Sequence, residues 1–232
     1  GIYGLRIAPR VWGAKRDSDM RAMQLLVDGV PAKLVQSRCD PSVWMVVAAA
    51  EPKLESDRLL LGLLLVYVDD FLSLGPDGAL DELESLLKAT WTCSVQSRIG
   101  WGAPGKVTYL GLEIEARGSE LIVHQASYLD DMLAKWGLSD ANGTHTIALE
   151  PVPPPRTAED GDADPAAVRA AQRMAGGLLW LATRSRPDVS FATSRLSSFA
   201  CSHPDWALRL GKRPAATPRS RTGAARRAPR RT

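Results

Sequence analysis

Residues 59–75 read LLLGLLLVYVDDFLSLG, an almost wholly apolar run that meets two adjacent aspartates before a second apolar run begins. The first run is too short for a membrane-spanning helix, which needs about 20 apolar residues. Apolar runs on both sides of a short polar break are typical of a strand, a tight turn and a return strand. Because aspartate tolerates turn geometry, the pattern predicts a β-hairpin with Asp69 and Asp70 at its tip.

The paired carboxylates of this hairpin have two interpretations. Between buried apolar strands, two adjacent negative charges disfavour each other's ionised form unless a cation neutralises them. Carboxylate oxygens suit Mg²⁺, which commonly takes one or two protein carboxylates and completes its octahedron with water and phosphate oxygens. The alternative is a solvated turn, which is the commoner context for adjacent aspartates.

The remaining periodicity predicts a mixed α+β body. Leu80, Leu83 and Leu87 recur at helical spacing, so we expect them to be core residues of a helix that packs on the sheet. A helix with an apolar face from Tyr128 to Trp136 should end at Gly137. The other predicted helices span residues 9–27, 81–89, 167–183 and 189–199, and the other predicted strands span residues 32–36, 43–48, 107–115 and 120–124.

Charge and composition divide the chain. The formal net charge is +3, but residues 212–232 hold eight Lys or Arg and no acid, which leaves 21 basic against 26 acidic residues elsewhere. Bulk charge in residues 1–211 therefore gives no argument for nucleic-acid binding. A local cluster of Arg6, Arg10, Lys15 and Arg16 could meet phosphates, or it could be a solvated helix face.

Cysteine and histidine usage gives little support for a metal centre of nitrogen and sulfur ligands. The three cysteines and the three histidines are scattered without ligand spacing, so zinc is not indicated. Separated cysteines are typical of reduced thiols inside the cell, and residues 1–10 lack the apolar core of a secretory signal. We expect an intracellular protein, cytoplasmic or nuclear, without a membrane partner.

Several segments carry a family resemblance, in one order along the chain. They read IYGLRIAPRVW (2–12), CDPSVW (39–44), YVDD (67–70), YLGLEI (109–114), QASYLDDMLAKWGL (125–138) and MAGGLLWLATRSRPDV (174–189). The third resembles the active-site hairpin of reverse transcriptases. The others resemble, in turn, the LYGLKQAPRxW, SDPCLF, FLGIEI, QxxYxxxLLxKFGM and GSLLYLATRTRPDI segments of the reverse transcriptase of copia-like LTR retrotransposons.

The resemblance implies a partial right-hand polymerase: a palm sheet with an active-site hairpin and packed helices, a primer-grip hairpin and a thumb helix, followed by a linker and a helical segment. The implied domains are a partial palm (1–118), a thumb-like segment (119–149), an acidic, proline-rich linker (150–165), a helical connection toward an RNase H domain (166–211) and a disordered basic tail (212–232). We expect the helices of the connection to expose apolar faces when their polyprotein neighbours are absent.

Site residues follow from the same resemblance. Asp69 and Asp70 would be the catalytic and metal-binding residues, with Mg²⁺ or Mn²⁺ as the cofactor. Residues on the nucleic-acid and nucleotide side would be Tyr67, Gly4, Pro9, Arg10, Tyr109 and Gly111. The implied partners are an RNA or DNA template-primer and deoxynucleoside triphosphates, and the oligomeric state stays open.

The family carries a further catalytic aspartate on a strand before the segment that resembles residues 2–12, and the present sequence begins at that segment. Two-metal phosphoryl transfer needs carboxylates that hold both ions about 4 Å apart, which two adjacent aspartates do not easily arrange. The sequence therefore predicts a fragment of an RNA-directed DNA polymerase that is inactive alone. The alternative is a non-catalytic nucleic-acid-binding remnant.

Overall fold

A computed structural model describes residues 4–50, 58–94, 97–100, 103–141, 151–155, 157 and 161–215. The chain forms two compact units, residues 1–96 and residues 97–232. Both contain antiparallel strands and helices, which confirms the mixed α+β class. Of the predicted features, residues 2 and 3 of the first motif, parts of the 150–165 linker and residues 216–232 of the tail lie outside the described residues. Within the described part of the chain, no helix combines the length and the apolar character needed to cross a membrane.

The first unit is a five-stranded antiparallel sheet with two helices. Its elements are α1 (Ala8–Ala22), β1 (Gln24–Val27), β2 (Val30–Gln36), β3 (Val43–Ala48), β4 (Leu60–Tyr67), β5 (Asp70–Leu74) and α2 (Asp77–Thr90). The strands lie in chain order, so each pairs with the next. This meander places β5, with the predicted tip residue Asp70, at one edge of the sheet.

Alternation along the strands builds the core of this unit. In β4, Leu64 and Val66 are buried while Leu65 between them is partly exposed, as expected for a strand with one covered face. They pack with Trp44 of β3 and with Met20 and Leu83 from the two helices. Both helices therefore cover the same face of the sheet.

The sequence prediction of a helix to residue 27 was wrong for residues 23–27, because Met23 follows the end of the helix and Gln24–Val27 form β1. Helix α1 ends at Ala22. Asp28 and Gly29 both adopt positive φ, +49° and +81°, between the paired residues Val27 and Val30. Positive φ at both positions of a two-residue loop is the type I′ hairpin geometry, for which Asp-Gly is the strongest sequence signal. The Asp28-Gly29 turn signal was present in the sequence, and in the structure it outweighs the helical spacing of the apolar residues before it.

The second unit joins a three-stranded antiparallel sheet to a helical cluster. Its elements are β6 (Gly105–Tyr109), β7 (Leu112–Arg117), β8 (Glu120–His124), α3 (Ala126–Lys135), α4 (Pro165–Arg184), a short 3₁₀ turn (Pro187–Val189), α5 (Ser190–Phe199) and α6 (Pro204–Ala215). The predicted strand 107–115 is wrong as one element: Leu110 and Gly111 take φ of +50° and +75° and form a turn between β6 and β7. Gly137 follows α3 with φ +64° and confirms the predicted helix stop.

The helices of this unit cover one another. Met174, Leu178 and Leu181 of α4 pack with Leu196 of α5 and with Leu210 of α6, and α3 contributes Leu129 and Met132 to the same core. The expectation that the helices of the connection would leave their apolar faces exposed is therefore wrong. Helix α6 was not predicted, and it extends to Ala215, so the first four residues of the predicted disordered tail are helical.

Two adjacent leucines of α4 provide a matched test of this packing. Leu178 is 1% exposed and Leu179 is 53% exposed. We expect Leu178→Ala to lower the free energy of unfolding by about 2–5 kcal/mol, because it removes a buried side chain and leaves a cavity. Leu179→Ala should change it by less than about 0.5 kcal/mol. Chemical denaturation followed by circular dichroism measures both, and equal losses would contradict the arrangement of α4.

Candidate functional site

The predicted hairpin is confirmed, and its tip is a two-residue turn. Strands β4 and β5 pair from Leu63 with Leu74 to Tyr67 with Asp70. Val68 and Asp69 are the two loop residues. Tyr67 and Asp70 thus face each other across the last pair of the ladder, and the four residues of the YVDD string form one compact tip.

Val68 carries the backbone strain of this turn. Its φ is +52°, a left-handed conformation that is a genuine outlier for a β-branched residue. Such conformations cost about 1–3 kcal/mol and persist only where the surroundings impose them. The Val68 side chain is 52% exposed, so its own packing does not explain the strain.

The carbonyl of Val68 is held by two side chains of α1. The indole Nε1 of Trp12 donates to this oxygen at 3.3 Å, and Nη1 of Arg16 donates to it at 3.1 Å. Arg16 is itself oriented by Asp17, whose Oδ1 accepts from its Nε and Nη2. The turn therefore has two donors directed at the one carbonyl that its left-handed residue presents.

An aromatic chain extends the same contact into the sheet and α2. Trp12 meets Trp91, which follows the end of α2, edge to face with ring centroids 6.0 Å apart. Trp91 in turn stacks on Phe71 of β5 at 5.8 Å and an interplanar angle of 11°. Helix α1, the end of α2 and strand β5 are thus joined immediately behind the tip.

Both aspartates lie in solvent. Asp69 and Asp70 are exposed, so burial between the apolar strands does not act on the two carboxylates. The physical reason is that a two-residue turn places Asp69 beyond the end of the ladder and Asp70 at its last pair. Since Phe71 packs on the core that the helices cover, strand alternation places Asp70 on the opposite, open face of the sheet.

The donor chemistry of the tip fits one divalent cation. Two carboxylates can provide hard oxygen ligands to Mg²⁺, with water and phosphate oxygens completing the shell. Across the described residues, the structure shows no group of three or more His, Cys, Asp or Glu side chains placed to hold a metal ion. Asp69 and Asp70 by themselves do not fit a two-ion centre.

The other predicted site residues of the first unit lie at the start of α1. Gly4 is exposed with φ +93°, Pro9 occupies the first turn and Arg10 is exposed. The contacts that join α1 to the tip come one and two turns later, from Trp12 and Arg16. Sequence reasoning assigned no site role to Trp12, and it offered Arg16 only as a phosphate contact or as part of a solvated helix face. The reason is that a pairing across 56 or 52 residues leaves no local signal.

Two members of the basic cluster have acidic partners on their own helix. Lys15 pairs with Asp19, and Arg16 pairs with Asp17. Arg6 and Arg10 are exposed. The charges of Lys15 and Arg16 are thus balanced by acids of the same helix. For these two residues, that balance favours the solvated helix face over contact with phosphates.

Tyr109 and Gly111 belong to the second unit, whereas the site residues above belong to the first. Tyr109 ends β6 and pairs with Leu112 across the turn that contains Gly111. Gly111 has φ +75°, and a Cβ there would lie 3.4 Å from Cζ2 of Trp180 in α4. The positive φ explains why glycine occupies position 111, and this explanation needs no nucleotide contact. The nucleotide-binding role of Tyr109 and Gly111 stays a prediction.

A buried carboxylate in the second unit, which pairs with a half-exposed lysine, was also missed. Glu113 of β7 is 4% exposed; its Oε1 accepts from the backbone N–H of Ser127 at 2.7 Å, and its Oε2 pairs with Lys106 of β6. Burial raises the pKa of Glu113, but the hydrogen bonds from Lys106 and Ser127 outweigh burial and hold that pKa below its usual value. Lys106 thus pairs with the carboxylate that accepts from the first turn of α3.

Relief of the strain at Val68 gives a stability prediction. Val68→Gly should raise the free energy of unfolding by about 1 kcal/mol, because glycine adopts positive φ without a Cβ clash. Val68→Ala is the matched control, since it removes the same exposed methyl groups but keeps Cβ, and it should stay near the parent value. Urea denaturation distinguishes them, and equal effects of Gly and Ala would show that the turn is unstrained.

The pKa of Glu113 gives a pH prediction. A carboxyl whose pKa is lower in the folded state stabilises the protein above its ordinary pKa of 4.5, and this stabilisation is lost as the pH falls through the folded-state pKa. Glu113→Gln should therefore cost on the order of 1 kcal/mol at pH 7 and should flatten the loss of stability below pH 4.5. Glu120→Gln, at an exposed position of β8, is the control, and identical pH profiles for the parent and Glu113→Gln would refute the ion pair.

Comparison of the chain with protein-family models, with curated proteins and with solved structures found no match in any of the three.

Proposed function

We propose that this chain is part of an RNA-directed DNA polymerase of the copia-like class, with the five-stranded sheet of the first unit as its palm. The observation that carries the proposal is the fixed acidic tip: Asp69 and Asp70 follow a strained residue whose carbonyl is held by Trp12 and Arg16. Template-directed nucleotidyl transfer depends on carboxylates held rigidly against the substrate phosphates. A solvated turn without function needs no such support.

The placement of Asp70 also favours this function. The carboxylate lies on the face of the sheet opposite to α1 and α2, at the last pair of the β4–β5 ladder. A nucleic acid could approach this face without displacing a helix of the first unit. Tyr67, paired with Asp70 and 57% exposed, would then offer a ring for a base or sugar contact.

In this proposal Asp69 and Asp70 hold Mg²⁺ or Mn²⁺ together with a substrate phosphate. When bound, such an ion neutralises developing charge on the transferred phosphoryl group. The protein's own contribution is positional: Trp12 and Arg16 fix the turn, and the aromatic chain behind it fixes α1 against β5. The template-primer and the deoxynucleoside triphosphates are the proposed partners. We propose binding without catalysis for the chain alone, because two adjacent carboxylates do not provide a two-ion centre.

Metal binding at the tip tests the proposal. We expect Mn²⁺ to broaden the backbone amide signals of residues 67–70 in an NMR titration, and a deoxynucleoside triphosphate to increase the apparent affinity several-fold, because its phosphates complete the metal shell. Asp69→Asn combined with Asp70→Asn should abolish the effect. Asp130→Asn combined with Asp131→Asn is the matched control, since these adjacent, exposed aspartates lie on helix α3.

Two results would contradict the proposal. One is broadening at residues 67–70 that persists in the Asp69→Asn, Asp70→Asn variant. The other is equal broadening at Asp130 and Asp131 with no added effect of the nucleotide, which would mean that the tip is an ordinary solvated acidic pair.

A further inference from the structure

Residues 151–155, with the sequence PVPPP, contact the start of α6 in the second unit. The indole Nε1 of Trp206 donates a hydrogen bond to the carbonyl oxygen of Pro151 at 3.0 Å. Pro153 is partly buried and lines a cleft of about 400 Å³ together with His203 and Trp206. A segment predicted only as a linker therefore contacts α6 through Pro151 and Pro153, while its other three residues are exposed.

The sequence of this segment dictates its conformation. Proline fixes φ near −65° and lacks an N–H group, and a residue before proline is restricted to extended or polyproline II geometry. Four prolines in five residues thus favour a polyproline II strand, whose carbonyls stay free to accept hydrogen bonds. In the structure these five residues belong to neither a helix nor a strand.

The surface that receives the segment is aromatic. Phe199 meets Trp206 edge to face with ring centroids 5.0 Å apart, and it meets His203 in the same manner at 5.8 Å. Trp206 is 7% exposed, and it belongs to the core of the unit. An indole N–H is a donor only, and burying it without an acceptor costs free energy. The carbonyl of Pro151 is that acceptor.

We propose that Phe199, His203 and Trp206 form a polyproline II-binding surface whose ligand is the chain's own segment 151–155, and that this surface binds a proline-rich peptide when the segment is removed. Polyproline II ligands are held elsewhere by aromatic grooves and by hydrogen bonds to their carbonyls, since the extended segment is ordered before it binds. Here His203 and Trp206 line one cleft together with Pro153, Phe199 packs against both of these rings, and Trp206 provides the donor. The surface is independent of the acidic tip in the first unit.

The intrachain ligand should compete strongly with any peptide. Only nine residues separate Pro155 from Pro165 at the start of α4, and a short connection gives an effective concentration in the millimolar range. A peptide that binds the vacated surface with a dissociation constant of about 100 μM would then bind the intact chain about tenfold more weakly. A weaker affinity of the intact chain than of the vacated surface would therefore show that segment 151–155 occupies the surface within the same chain.

The experiment uses the full chain and a fluorescein-labelled peptide with the sequence of residues 150–157. In the variant P151S/P153S/P154S/P155S we expect saturable binding by fluorescence anisotropy and a shift of the Trp206 indole signal in ¹⁵N NMR spectra. The intact chain should bind at least tenfold more weakly. Trp206→Phe in the four-serine background keeps an aromatic ring but loses the donor, and it should weaken binding about fivefold, whereas Trp180→Phe on α4 should not.

The proposal is overturned if the folded four-serine variant leaves the Trp206 indole signal unchanged on addition of peptide, or if the intact chain binds equally well. If that variant fails to fold, NMR spectra of the unaltered chain test the proposal. Nuclear Overhauser contacts between the Trp206 indole proton and residues 151–152 are expected there, and they should diminish with millimolar peptide. Their absence, or their persistence at saturating peptide, overturns the proposal.

Discussion

The two hydrogen bonds to the carbonyl of Val68 organise the first unit. Trp12 and Arg16 of α1 hold the hairpin through this one acceptor. Farther along the same helix, Met20 packs in the core and Arg21 donates to Gln36 of β2. The aromatic chain from Trp12 through Trp91 to Phe71 is built on the same contact. The position of the two aspartates is thus a consequence of the hydrogen bonds that α1 donates to the turn between β4 and β5.

The acidic turn keeps a residue whose backbone conformation is strained. A valine at positive φ is unfavourable, and a glycine would form the same turn at lower cost. Strained residues that surrounding contacts hold in place cluster at binding and catalytic sites. The other turns provide a contrast, because Asp28-Gly29 and Leu110-Gly111 both include a glycine at positive φ. The acidic turn is the one of these three that keeps a β-branched residue without glycine.

The sequence predicted those parts of the fold whose signals are local. The 59–75 hairpin followed from two apolar runs around a polar break, and Gly137 marked the end of α3. Strand β1 was missed although Asp28-Gly29 is a hairpin-turn signal directly after it. The spacing of Met20, Met23 and Val27 is also compatible with a helix. Leu110 gave no turn signal, since leucine rarely adopts positive φ. The contacts of Arg16 with Val68 and of Trp206 with Pro151 join residues 52 and 55 apart, and only the folded chain reveals them.

Charge decides how the acidic tip could meet a nucleic acid. Residues 1–211 carry more acid than base, and the cations of α1 nearest to the tip, Lys15 and Arg16, are paired with Asp19 and Asp17. Two exposed carboxylates in this setting repel phosphate, so direct approach of a polyanion is unfavourable. A divalent cation reverses the sign of the interaction, because it binds carboxylate and phosphate oxygens at once. Metal binding should therefore precede, and be required for, any nucleic-acid contact at Asp69 and Asp70, whereas binding through the arginine-rich C-terminal residues would need no metal and would fall steeply with salt.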